Sequence, residues 1–165
     1  MKKITLLASL AVFCLFIFSC GSRPGKSRVL VFAKTAAFRH SSIQNGKAAI
    51  MKLGDENGFI VDTTENADYI SEDSLKNYSA VIFLHTTGNM LNNYHAADFE
   101  RYIQAGGGYV GIHAASDAEY DWGWYGKLVG GYFESHPQQQ EAKLDVVDQT
   151  HGSTKHLPKE WKRKD

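Results

Sequence analysis

Residues 79–115 read SAVIFLHTTGNMLNNYHAADFERYIQAGGGYVGIHAA, and this stretch decides the fold. Ser79 to Leu84 is a short continuous run of apolar residues, the pattern of a strand covered on both faces. A helical pattern follows from Tyr94 to about Ala105. Asn92 or Asn93 is available to cap it, Phe99, Tyr102 and Ile103 share its inner face, and Gly106 ends it. Gly108-Tyr109-Val110-Gly111-Ile112 is a second strand. Strand, helix, strand in this order requires a crossover, which makes the two strands parallel neighbours or near-neighbours in one sheet.

The same alternation extends toward the amino terminus. Arg28-Val29-Leu30-Val31-Phe32-Ala33 is another doubly covered strand. Ile43, Ile50 and Leu53 recur at helical spacing, with Ser41 or Ser42 as N-cap and Gly58 as the stop. Phe59-Ile60-Val61 is a further strand. The pattern predicts an α/β fold around a mainly parallel, doubly wound sheet. Toward the carboxyl terminus, Gln140 to Val147 reads as one more strand, because Ala142, Leu144 and Val146 alternate with polar neighbours. No closing strand–helix pair is legible before Lys162-Arg163-Lys164-Asp165, which predicts a domain over residues 28–165 truncated at its carboxyl end.

The first residues carry a different message. Lys2 and Lys3 precede an apolar stretch from Ile4 to Phe18, about 15 residues and shorter than the ~20 that span a bilayer. A positive start before such a run is the pattern of a secretory leader. It ends in Ile17-Phe18-Ser19-Cys20-Gly21, which resembles the lipobox of bacterial lipoproteins. The resemblance implies a signal peptide over 1–19, cleavage before Cys20, lipidation of Cys20, and a membrane-anchored domain at the cell envelope, periplasmic or surface-facing. Residues 20–27 contain nothing large and apolar and read as a tether. Cys14 leaves with the leader, so the exported domain has no disulfide and no thiol nucleophile. Removing Lys2 and Lys3 from 18 basic residues leaves 16 against 18 acidic ones. Such a balance makes nucleic acid a poor partner, and the basic run Lys159 to Lys164 reads as a solvated tail.

In doubly wound sheets ligands sit beyond the carboxyl ends of the strands. Histidines collect there. The first strand runs on to Arg39 and His40, the third ends at His85-Thr86-Thr87, and the fourth ends at His113, followed by Asp117, Glu119, Tyr120 and Trp122. His95, by contrast, falls in a helix body and reads as solvent-facing. Gly111 and Ala115 flank His113 at two places either side, the steric requirement of a turn that lifts one side chain out of a strand end. Imidazole at such a position suits proton transfer or metal binding better than acyl transfer.

Lys34-Thr35-Ala36-Ala37-Phe38-Arg39-His40-Ser41, Gly106 through Ala115, Glu119-Tyr120-Asp121-Trp122 and Ser135-His136-Pro137 together resemble the ThuA-like (trehalose utilisation) family. The resemblance runs from Arg28 to the end of the chain. It implies a flavodoxin-like three-layer sandwich similar to class I glutamine amidotransferases, and a connection with carbohydrate use in bacteria. Those amidotransferases carry cysteine at the elbow where this chain has His113, so glutaminase activity does not carry over.

The resemblance, taken with these residues, implies a site acting on a sugar or sugar derivative. His113, His85, His40 and Asp117 are its catalytic candidates. Arg39, Thr86, Glu119, Tyr120, Trp122 and His136 are candidates for binding the substrate, Asp117 and Glu119 by orienting imidazoles or holding hydroxyls. The rings of Tyr120, Trp122 and Trp124 offer faces for a pyranose, with core or lid packing as the alternative for the tryptophans. His40, His85 and His113 are also candidate ligands for a divalent metal. The competing class is a carbohydrate-binding or assembly module without chemistry. Gly106-Gly107-Gly108 precedes a strand instead of joining strand to helix, the wrong context for a phosphate cradle.

Overall fold

The computed structural model describes residues 25–164. The leader, Cys20 and the first part of the tether lie outside the described residues. Gly25 to Ser27 is exposed and irregular. The chain divides into two compact units at Tyr132/Phe133.

The first unit holds a four-stranded sheet. Its strands are β1 (Arg28–Phe32), β2 (Ile60–Thr64), β3 (Ala80–Leu84) and β4 (Gly108–Ile112). Their spatial order is β2-β1-β3-β4, and every pairing is parallel. The order reverses direction between β1 and β3, the topological switch point of a doubly wound sheet. Four helices accompany it: α1 (Ile43–Asn57), α2 (Glu72–Leu75), α3 (Asn93–Gln104) and α4 (Gly123–Val129). This is the parallel, doubly wound α/β sheet that the alternating pattern predicts, in the flavodoxin-like form that the family resemblance implies.

The alternation of side chains along each strand builds two cores. Val31, Ala33 and Leu84 pack with Ile43 and Ile50 of α1 on one face. Leu30, Phe32, Val81 and Phe83 pack on the other face with Leu75, Phe99 and Tyr125, from α2, α3 and α4. Helix ends follow the sequence signals closely. The Asn92 side chain accepts from the His95 amide to cap α3, and Gly58 closes α1 at φ 76°. Strand β2 runs on to Thr64, beyond the apolar triplet that marks it in sequence, because Asp62 to Thr64 keep their register against β1.

The second unit corrects one expectation. A strand does follow the predicted one: β5 (Glu141–Asp145) pairs antiparallel with β6 (Glu160–Lys164). The basic run is therefore not a free tail. Trp161 lies opposite Leu144, Lys143 reaches Glu160 across the pair at 2.7 Å, and Arg163 stands over the Trp161 ring. Among the described residues no helix is long and apolar enough to cross a membrane.

Candidate functional site

The carboxyl ends of β1, β3 and β4, three adjacent strands, each deliver one imidazole to the same place. His85 and His113 follow β3 and β4 directly, and His40 arrives on the loop after β1. One ring nitrogen from each of the three lies within 4.8 Å of the others. The ring centroids are 5.0 Å apart for His40 and His85, 4.7 Å for His40 and His113, and 4.8 Å for His85 and His113.

Local backbone geometry is what turns the rings together. His85 and His113 both adopt the left-handed conformation, at φ 53° and 55°. Histidine tolerates this region better than most residues, yet such positions still cost on the order of 1–3 kcal/mol each. The cost is met by the surrounding fold. His85 donates its amide to the Ile112 carbonyl, and the chain after His113 closes at once into a 3₁₀ turn, His113–Ser116. Small neighbours are required there, since a Cβ at Gly111 would stand 2.8 Å from the Tyr109 hydroxyl and 3.2 Å from the Ala115 Cβ. The elbow reading of residues 111–115 thus has a direct steric basis.

Hydrogen bonding orders the rings further. His85 Nδ1 lies 3.1 Å from His113 Nδ1, and His85 Nε2 lies 3.2 Å from the Ser42 hydroxyl. Ser42 occupies the N-cap position of α1 but makes no capping hydrogen bond, so its hydroxyl serves the imidazole instead. Burial first, and the crowding of imidazoles that cannot all be charged second, push the pKa of His40 and of His85 down, while the Asp117 carboxylate pulls His40 back up. Neutral imidazole, the form able to ligate a metal or accept a proton, is favoured at both.

The other sequence candidates separate into distinct roles. Asp117 stays on the rim, where its carboxylate accepts from the Tyr120 hydroxyl at 2.6 Å and holds that phenol up at about 12. Glu119 is not on the rim. It is buried, its Oε1 accepts the amides of Met90 and Leu91 at 2.7 and 2.8 Å, and burial raises its pKa. Lys34 donates to the Met90 carbonyl from the other side. Together they clamp the loop that leaves His85. Thr86 is fully buried beside the Tyr125 hydroxyl, inside the wall and not on its surface. Trp122 stacks at 5.1 Å on Trp124 and 5.7 Å on Tyr125, against the core on the α3 side of the sheet. Arg39 is committed to Glu65 through two hydrogen bonds of 2.9 and 3.0 Å. Arg39, together with Lys47, holds that carboxylate down at about 2. His136 belongs to the second unit, exposed, with its Nδ1 2.8 Å from the Pro137 carbonyl.

His95 also differs from its sequence reading. Its side chain is only 15% exposed and lies 3.6 Å from Asp68. Two residues at the histidine cluster escape sequence reasoning altogether. Ser42 looks like an ordinary cap. Phe38, 66% exposed, meets the His40 ring edge-on at 4.8 Å and presents an aromatic surface beside the cluster. The loop carrying it is pinned by the buried Thr87, whose hydroxyl donates to the Phe38 carbonyl at 2.8 Å.

Comparison with known families places the chain. A family model described as ThuA, trehalose utilisation, matches residues 28–165. The crystal structure of a ThuA-like protein from Bacteroides uniformis superposes with a TM-score of 0.70 at 26% identity, covering 89% of this chain. The chain spans 62% of the length of that relative. Comparison with curated proteins returns no match.

Proposed function

The chain belongs to the ThuA (trehalose utilisation) family, and from that premise we propose that it acts on a sugar or sugar derivative through a divalent metal held by His40, His85 and His113. The observation that carries the reading is the convergence of three ring nitrogens within 4.8 Å. Two nitrogens bound tetrahedrally to zinc at ~2.0–2.1 Å stand about 3.3 Å apart. The 3.1 Å between the Nδ1 atoms of His85 and His113 is close to that edge. His40, His85 and His113 would hold the ion, which would supply Lewis acidity toward a carbonyl or hydroxyl oxygen of the substrate.

The chain's own residues define the remainder of the site. Phe38 and the half-exposed Tyr120 offer aromatic surfaces for a sugar ring, a role the packed Trp122 does not fill. Asp117 holds the Tyr120 hydroxyl and acts electrostatically on His40, so it is positioned to orient a hydroxyl or a proton on the rim. A glycosidase-type pair of carboxylates is not supported here, because Glu119 is buried against backbone amides. We further propose, from the lipobox-like sequence at Cys20, that the domain is displayed at the envelope on a lipid anchor. Replacing Cys20 with Ala is expected to abolish incorporation of labelled palmitate and release the protein from the membrane fraction.

The reading is tested by replacing His113 with Ala and following both affinity and turnover across a panel of sugars and oxidised sugars. Turnover lost with affinity retained supports the enzyme. Binding by the wild type without turnover of any member of the panel would instead make the domain a carbohydrate-binding module.

A further inference from the structure

Ser42 stands where a helix cap belongs and does not cap. It precedes α1 directly, yet its side chain makes no bond to the first-turn amides, and a serine at this position ordinarily does. Its hydroxyl lies instead 3.2 Å from His85 Nε2. His85 is the buried member of the cluster, and its other nitrogen, Nδ1, is the one facing His113. Each ring nitrogen of His85 is therefore matched to a different neighbour.

We infer that Ser42 is a positioning residue that fixes the tautomer of His85, an inference that rests on the metal reading above for its functional consequence. A neutral imidazole carries one proton and one lone pair. If Ser42 Oγ accepts the Nε2–H, the Nδ1 lone pair is directed at the centre. The short Nδ1–Nδ1 contact is then a hydrogen bond in which His113 Nδ1–H donates to His85 Nδ1. A metal at this position would take the Nδ1 lone pairs of both rings, the His113 proton moving from Nδ1 to Nε2 so that the ring stays neutral. Ligating histidines are generally held this way, the distal nitrogen donating to a fixed acceptor. The hydroxyl is firmly placed for this work, because the backbone of Ser42 is anchored by its carbonyl accepting from the Gly46 amide at 2.9 Å. Exposure of Ser42 leaves its own proton free to point to solvent.

The test compares wild type, Ser42→Ala and Ser42→Thr as intact chains. Long-range ¹H–¹⁵N spectra of the metal-free proteins are expected to show His85 protonated at Nε2 in wild type and Ser42→Thr, with mixed tautomers in Ser42→Ala. Titration with Co(II) alone is expected to show affinity about 10- to 100-fold weaker for Ser42→Ala, restored by Ser42→Thr. The thermal midpoint without added metal should fall only slightly, since one hydrogen bond and no helix cap is removed. If Ser42→Ala keeps the Nε2 tautomer and the wild-type Co(II) affinity, the inference is overturned and the metal reading stands. If wild type binds no Co(II), the metal reading fails, and the tautomer spectra alone decide the role of Ser42.

Discussion

Oε1 of Glu119 accepts the Met90 amide at 2.7 Å from a site only 7% exposed, and the Leu91 amide shares the same oxygen. A residue that looks in sequence like part of the substrate rim is thus a latch on the loop following His85. Glu119→Ala strands two amides and is expected to destabilise the protein by about 1–3 kcal/mol. Glu119→Gln keeps an acceptor oxygen and should cost much less. Urea denaturation of both variants checks this, and equal losses would contradict the latch.

Stability should respond to pH through the depressed histidines. His40 and His85 have folded-state pKa values below 6.5. As pH falls below 6.5, the unfolded chain takes up protons that the folded chain still refuses, so stability is full above that value and lost as pH drops through the folded values. Buried Glu119 works in the opposite sense, its contribution being lost as pH rises through its raised value. Comparison with a His40→Asn/His85→Asn variant removes that term, because Glu119 is common to both. The urea midpoint of the metal-free wild type should fall more steeply between pH 7 and 5 than that of the variant.

The elbow at His113 makes a steric prediction. Gly111→Ala places a methyl 2.8 Å from the Tyr109 hydroxyl and 3.3 Å from its Cζ, and crowding of this kind costs about 1–3 kcal/mol. Removing the nearest atom by Tyr109→Phe should relieve part of it. A double-mutant cycle is expected to show a coupling of at least about 0.5 kcal/mol. Additive losses would mean that the strain lies elsewhere.

Legibility in the sequence followed burial. Strands β1 and β3 announce themselves as short apolar runs because the centre of a doubly wound sheet is covered on both faces. Edge strand β4 reads from its apolar residues although none of them is fully buried. The exits of all three could be read off residue by residue, which brought His40, His85 and His113 into view. Side-chain direction was less accessible. Nothing in the order Glu119-Tyr120-Asp121-Trp122 says that Glu119 turns inward onto amides and Tyr120 outward to Asp117. Strand β6 hid behind its charges, because Glu160, Lys162, Arg163 and Lys164 satisfy solvent as readily as a cross-strand partner. Ser42 hid behind a commoner role: helix starts call for serine, and only the three-dimensional placement of His85 reveals the competing acceptor.

The most direct measurement is the metal content of the protein and of its three single histidine variants, His40→Ala, His85→Ala and His113→Ala, after equilibrium dialysis against Zn(II). Convergence of the three rings on one ion predicts about one equivalent bound by the wild type and a large loss of affinity in each variant. Less than about a tenth of an equivalent in the wild type, or full retention when any one ring is removed, would contradict a three-histidine metal centre.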